Sequence, residues 1–318
     1  MNSCDENSSL SRFLAEWRSD SQVIEAHSSG STGKPKRILL PKADMKVSAE
    51  ATCRFFRIDA DSLLFLPLSL DYIAGKMMAV RSEVSGARLI LEKPSNSPLQ
   101  NEPPGIISLG AIVPSQVPGL LASPWSKKVK TLIIGGAPLS AEYEDMIMKS
   151  DIEAYATYGM TETCSHVALR RLGQDRYKAL PHVSFETDSR GCLVVISEAM
   201  SFKRLVTNDI VNLLDDHNFI WRGRYDNVIN SGGIKVFPEV VESKIAQALN
   251  DRVFYITSRK SHKWGEEVVL MVEGAEALTE NQLKALDLLK PVERPKAIIF
   301  EASFKFTLSG KIIRKKPV

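Results

Sequence analysis

Leu10, Phe13, Leu14 and Trp17 recur at helical spacing, which predicts a short amphipathic helix over 9–18 leading to the apolar pair Val23 and Ile24. Beyond it the apolar residues gather into short runs at Leu63–Leu66, Arg88–Leu91, 106–109, Thr131–Ile134 and 154–158, separated by helical or loop-like segments. Alternation of this kind predicts an α/β layered domain. Four prolines between 94 and 104, interspersed with Asn, Ser and Gln, read as an exposed loop. After Arg224 the texture changes. A helix is expected over 238–249, strands over 253–257 and 267–272, and a second helix over 279–290, where Thr279 and Gln282 have the spacing of a capping box. About 90 residues suffice for a small α+β domain. The boundary is placed near Asp226, dividing the chain into 1–225 and 226–318.

Length agrees with that division, because a single core stops growing at roughly 250–300 residues and the chain has 318. The balance of 41 Lys plus Arg against 38 Asp plus Glu is too slight and too interspersed for a nucleic-acid surface. No apolar run approaches the length that spans a bilayer, so membrane insertion is not expected. Asp5 and Glu6 stand where a secretory leader would need basic residues and then an apolar block, which predicts a cytoplasmic protein. Cys4, Cys53, Cys164 and Cys192 form no CxxC pair and read as reduced, scattered thiols. The five His never fall at i, i+4 with a partner ligand, so no transition-metal site is expected.

The densest chemistry lies at 28–36, SSGSTGKPK, directly after the apolar stretch holding Val23 and Ile24. Glycines let several backbone N–H groups face one point, hydroxyls add donors, and lysines offset polyphosphate charge. The segment is not a Walker A loop, which would need Gly at Ser28 and Ser or Thr at Pro35. Further blocks follow in order: Gly135-Gly136-Ala137-Pro138-Leu139 after one strand, Tyr158-Gly159-Met160-Thr161-Glu162-Thr163 after the next, then Thr207-Asn208-Asp209. Gly223-Arg224-Tyr225-Asp226 continues through Ser231-Gly232-Gly233-Ile234-Lys235-Val236, and the chain nearly ends in Leu308-Ser309-Gly310-Lys311-Ile312-Ile313-Arg314-Lys315. Each alone reads equally as a solvated loop or a tight turn.

Taken together and in this order, the blocks resemble the adenylate-forming superfamily of acyl-CoA synthetases, luciferase-like ligases and peptide-synthetase adenylation domains. The resemblance runs from about Ser28 to the C-terminus and implies a large layered α/β domain followed by a small α+β lid. It implies an acid-CoA ligase using ATP, Mg²⁺ and coenzyme A, in which charge gathering on the phosphates must be met by cations and donors. By that resemblance Ser28, Ser31, Thr32, Gly33, Lys34 and Lys36 grip the β- and γ-phosphates. Thr161 donates to the α-phosphate and Glu162 holds Mg²⁺. Gly136, Ala137, Pro138, Tyr158, Gly159 and Met160 receive the adenine, while Asp209 and Arg224 bind the ribose. Lys311 bridges carboxylate and α-phosphate. Asp226 is the hinge, and Ser231, Gly232 and Gly233 flank the pantetheine arm. Lys315 and Lys316 read as a solvated basic tail.

Residues 158–166, YGMTETCSH, are similar to the bacterial o-succinylbenzoate-CoA ligases of menaquinone biosynthesis. That likeness implies Arg81 facing a second carboxylate, with Ser165 and His166 lining an aromatic ketone's pocket. A guanidinium fork suits a carboxylate, although a surface arginine and a structural histidine are the plain alternatives. Other aryl or fatty acids, transfer to a carrier-protein thiol, and a non-catalytic nucleotide-binding paralogue are the competing functions. Retention of Lys311 and Glu162 argues against the last. Two departures stand out. Only 27 residues precede Ser28, so the first domain is shorter than the family's and its acyl pocket and homodimer contacts are affected; and Asp71-Tyr72 lies where relatives place histidine or another aromatic.

Overall fold

The computed structural model describes residues 3–28, 36–249, 252–274, 277–306 and 312–317, without the side chains of 3–7, 28 and 36. The chain opens with α1 (Ser3–Arg18), then an antiparallel hairpin of β1 (Val23–Ser28) and β2 (Lys36–Pro41) whose final pair is Ser28 opposite Lys36. There follow α2 (Lys42–Phe56), β3 (Leu63–Leu66), α3 (Ile73–Ser85), β4 (Arg88–Leu91), β5 (Leu109–Ile112) and α4 (Val117–Ala122). Next come β6 (Thr131–Ile134), α5 (Ala141–Met148) and β7 (Glu153–Gly159). In the order β4-β3-β5-β6-β7 these five strands are parallel. β3, β5 and β6 are buried along their whole length, as strands covered on both faces must be, and this is why they read as unbroken apolar runs. Met45, Met77 and Met78 belong to the core on one side, while Val117, Leu120 and Ile147 belong to the core on the other.

From β7 the direction reverses. β8 (His166–Arg171), β9 (Arg176–Ala179), β10 (Ser184–Thr187), β11 (Cys192–Ser197), β12 (Lys203–Asp215) and β13 (Asn218–Arg224) extend the same sheet antiparallel to eleven strands. A separate five-stranded sheet is built from β14 (Ile229–Ser231), β15 (Ile234–Val236), β16 (Phe254–Ser261), β17 (Gly265–Glu273) and β18 (Ala297–Glu301). α6 (Pro238–Ile245) and α7 (Glu280–Asp287) accompany it, with its own core of Val241, Ile245, Ile256, Leu270 and Leu286. The architecture is the α/β fold with a smaller α+β unit that the sequence predicts.

Some boundaries move. The strand expected over 106–109 starts at Leu109, because Ile106 is exposed and Ile107 makes only an isolated bridge to Val129. It runs through Gly110, whose absent Cβ would stand 2.9 Å from the Leu132 side chain. The helix expected over 238–249 is regular only to Ile245, whereas the capping box forms as predicted, with Thr279 accepting from the Gln282 N–H and Gln282 from the Thr279 N–H. Cys53, Cys164 and Cys192 are buried free thiols. No described helix is long and apolar enough to cross a membrane.

Candidate functional site

β6 and β7 are parallel neighbours, so the turns leaving their carboxyl ends lie side by side. This is where α/β sheets place ligands. Gly135 presses on β7: a Cβ there would stand 2.3 Å from Thr157 Oγ1. Gly136, at φ +84°, turns the chain toward the partly exposed Ala137 and the exposed Pro138. After Tyr158, Gly159 crosses so close to the returning strand that a Cβ would meet the Ser165 carbonyl at 2.2 Å. Thr161–Thr163 then forms a 3-10 turn strapped by Thr163, whose hydroxyl accepts from the Met160 N–H at 3.0 Å and donates to the Ser165 carbonyl at 2.7 Å.

Cys164, 1% exposed, adopts φ 61° and ψ −35° while the Ser165 N–H donates to the Thr163 carbonyl at 2.7 Å, a γ-turn. Such a conformation in a non-glycine residue costs about 1–3 kcal/mol and persists only where its surroundings over-determine it. Its effect is to leave Glu162 outside and Ser165 inside. The Glu162 carboxylate is exposed and, among the described residues, has no hydrogen bond or ion pair. An unencumbered carboxylate of that kind suits a hard cation such as Mg²⁺. Both β1 and β2 lie close to the Thr161–Thr163 turn. Ser31, Thr32, Gly33 and Lys34 lie outside the described residues, as do the side chains of Ser28 and Lys36.

Asp209, 7% exposed, is the hub of the second cluster. Its Oδ2 accepts from the Tyr158 hydroxyl at 2.9 Å, its Oδ1 accepts from the Trp221 indole at 3.2 Å and lies 3.6 Å from Arg224. Burial, and then the Asp209 charge, push the Tyr158 phenol well above its ordinary range, so it remains a donor. The Tyr158 ring meets Phe219 and Tyr177 edge-on at 5.1 and 5.9 Å. Two carboxylate oxygens offer about four acceptor sites, and three protein contacts leave room for a ligand hydroxyl. Arg224 also reaches Asp226, which accepts at 3.1 Å, and Asn208 donates to the same oxygen at 3.4 Å. Trp221 is absent from the sequence-predicted set; only its position on the strand paired with β12 reveals it.

The third cluster is inside the α2/α3 layer. Arg81, 2% exposed, donates to the Ser165 hydroxyl at 2.6 Å, while its Nε has no partner among the described residues. Ser165 Oγ lies 3.3 Å from His166 Nδ1, and His166 Nε2 lies 3.1 Å from Thr52 Oγ1, which itself donates to the Ser48 carbonyl. This pattern assigns the Nε2–H tautomer and a one-way chain from Arg81 through Ser165 to His166, then from His166 through Thr52 to Ser48. The sequence-predicted trio of Arg81, Ser165 and His166 is therefore assembled, with Thr52 as a partner the sequence did not reveal. Burial, with the Arg81 charge added, holds the His166 imidazole well below its ordinary range.

A pH dependence follows. Folded His166 stays neutral while the unfolded chain takes up a proton below about pH 6.5, so stability falls with pH from there, by up to about 1.4 kcal/mol per pH unit. His166→Gln should flatten that limb of a denaturation-versus-pH series. His182, lowered in the same direction by burial and Arg54, remains as a smaller contribution.

In the smaller unit Ser231 is buried at the end of β14, and Gly232 (φ 59°) and Gly233 (φ 82°) make the turn into β15. A Cβ on Gly232 would meet the Trp264 ring at 2.8 Å, so that glycine already has an intramolecular reason, whereas around Gly233 the space is open. Lys311 lies outside the described residues. Beyond it Lys315 and Lys316 are exposed, as the sequence suggested, while the tail backbone is tied down. Lys316 pairs with Glu266 at 2.9 Å, and the Lys315 backbone bonds Thr257 and Tyr255.

A fold of this class, with glycine turns at the carboxyl ends of two parallel strands and a buried aspartate hub beside them, defines a nucleotide-handling enzyme. A match to the AMP-binding enzyme family spans residues 8–195, and the chain belongs to that family. The acyl-CoA synthetase (AMP-forming)/AMP-acid ligase II-like protein from Dyadobacter fermentans is 30% identical, with 96% of this chain and 92% of that chain covered and a TM-score of 0.67. The 2-succinylbenzoate–CoA ligase of Listeria monocytogenes is 24% identical over 96% of this chain and 71% of its own length. The o-succinylbenzoate coenzyme A synthetase from Bacillus subtilis, solved with ATP and magnesium ion, shares the fold at a TM-score of 0.76 and 18% identity, with 91% of this chain and 68% of that chain covered.

Proposed function

We propose that the acid activated by this AMP-binding ligase is o-succinylbenzoate, carried through an acyl-adenylate to its coenzyme A thioester in menaquinone biosynthesis. The observation that carries the reading is Arg81: a buried guanidinium whose partners among the described residues are neutral. An uncompensated buried cation is costly, and a substrate carboxylate on its free edge would relieve that cost. Ser165 and His166 hold the guanidinium in place, and a neutral imidazole there adds no competing charge. Several relatives named as 2-succinylbenzoate–CoA ligases support the same acid.

In this reading the ribose hydroxyls bind the Asp209 hub, the adenine lies along Gly136, Ala137, Pro138 and Tyr158, and Thr161 donates to the α-phosphate. Glu162 would hold Mg²⁺, which when bound neutralises phosphate charge. Ser31, Thr32, Lys34 and Lys36 would grip the β- and γ-phosphates, and Lys311 the oxygens being exchanged. Residues 1–225 and 226–318 would act as two lobes that turn at Asp226, exchanging Lys311 for the Ser231-Gly232-Gly233 loop before thioester formation.

Pyrophosphate release measured with o-succinylbenzoate, ATP and Mg²⁺, with and without coenzyme A, tests the whole. Acid-dependent release with a thioester product supports it. Release without a coenzyme A thioester would point to a carrier-protein thiol, and silence with every acid would sink the catalytic reading. Trp221→Phe keeps the ring but removes one donor to Asp209. It should raise the KM for ATP about tenfold, in line with one hydrogen bond to a charged group at about 1.5 kcal/mol, while kcat stays close to wild type.

A further inference from the structure

The described residues on either side of 307–311 are tied to one another. Phe306 and Ile312 form an antiparallel bridge, and the Ile313 N–H donates to the Lys305 carbonyl at 2.8 Å. One residue further, Arg314 grips Glu242 of α6 with two nitrogens, at 2.5 and 2.8 Å. It also donates to the Ile256 carbonyl at 2.9 Å and lies 5.8 Å from the centre of the Tyr255 ring. A desolvated bidentate fork fixes orientation as well as distance, which a lysine at the same place would not.

The anchor also faces the larger unit. Glu239, one turn before Glu242 on α6, lies 3.9 Å from Arg314, and its Oε1 accepts from Asn227 in the connection between the two sheets at 2.5 Å. Its Oε2 is buried without a partner among the described residues, in the space that a Cβ on Gly223 of β13 would occupy at 2.4 Å. Burial pushes the Glu239 carboxyl above its ordinary range, with the Arg314 charge opposing. Tail, α6 and the connection from β13 are thus joined through one arginine and two glutamates.

We infer that Arg314 is a positioning residue for adenylation, its fork on Glu242 and its approach to Glu239 setting where the chain presents Lys311, three residues earlier, to the larger unit. The inference rests on the role proposed above for Lys311. Its consequence is selective: the half-reaction that needs the lysine depends on the fork, and the half-reaction that follows does not.

The test uses the full chain with Arg314→Gln, Arg314→Lys, Glu242→Gln and Lys311→Ala. Acid-dependent exchange of pyrophosphate into ATP reads the first half-reaction, thioester formation from supplied acyl-adenylate reads the second, and a thermal melt reports folding. Arg314→Gln should lower the exchange kcat at least tenfold, with the KM for ATP and the second half-reaction within twofold of wild type. Arg314→Lys, which keeps the charge without the fork, should fall between. Parallel loss of both half-reactions, or an unchanged exchange rate, overturns the inference. If Arg314→Gln does not fold, Arg314→Lys and Glu242→Gln carry the same comparison. Exchange that survives Lys311→Ala would instead remove the reading underneath, whereas collapse there with normal exchange in the Arg314 variants removes only this inference.

Discussion

Replacing Arg81 with Met is expected to make the free enzyme more stable and at the same time nearly blind to its acid. Burial drags the Arg81 guanidinium down from its ordinary value to about 10, and a displacement of that size disfavours the charged form by about 3 kcal/mol. Met fills much of the same volume among Met77, Met78 and Cys53 without a charge. Exchanging buried charge for packed apolar volume commonly gains about 1–4 kcal/mol. About 2 kcal/mol would raise Tm by roughly 3 °C in a protein of this size. The acid pays in the opposite sense: losing one partner of a desolvated charge pair costs about 2–5 kcal/mol, so the KM for o-succinylbenzoate should rise about a hundredfold. A monocarboxylic aryl acid, with nothing to offer Arg81, should lose little. In wild type, added o-succinylbenzoate should raise Tm by mass action, and in Arg81→Met it should not. A variant that melts lower than wild type and keeps its KM would mark Arg81 as a structural cation. The stability of this layer would then be traded for nothing that concerns substrate.

The nine residues 158–166 show how much of the site the sequence carried. One arm sends the Tyr158 hydroxyl to Asp209, the other sends Ser165 to Arg81 and, through Ser165, brings in His166, and the strained turn at Cys164 separates them. The motif was legible because glycines, hydroxyls and a carboxylate cluster locally. Its conformation was not, since the Thr163 strap and the φ of Cys164 depend on β8 returning against β7. Partners across the sheet were equally hidden. Thr52 bonds His166 over 114 residues of sequence, and Arg314 bonds Glu242 over 72. The fully buried parallel strands β3, β5 and β6 announced themselves as apolar runs. An antiparallel strand such as β12 did not, because it is exposed at both ends, buried only near its middle, and mixes polar and apolar positions. The family resemblance supplied roles for residues whose contacts no local pattern could give.

Lys311→Ala should separate the two half-reactions more sharply than any other single change. The acid and the α-phosphate are both anionic, so their approach is opposed until a cation stands between them, and that repulsion peaks where the phosphorus–oxygen bonds exchange. A side chain that acts there stabilises the transition state rather than either bound substrate. Removing one such donor typically costs 10²- to 10³-fold in kcat, about 3–4 kcal/mol. The KM for ATP should move little, because in the proposed cycle ground-state binding is assigned to the Asp209 hub and to the turns after β6 and β7. Thioester formation from supplied acyl-adenylate begins after that repulsion has been overcome, and in the proposed cycle the smaller unit has by then turned at Asp226 and presents Ser231, Gly232 and Gly233 instead. It should therefore stay within about twofold of wild type, since no transition-state interaction is removed from that step. Single-turnover measurements of each step would decide it: an equal fall in both means that Lys311 supports the fold of the tail and not the chemistry at phosphorus, and the two-lobe cycle loses its reason.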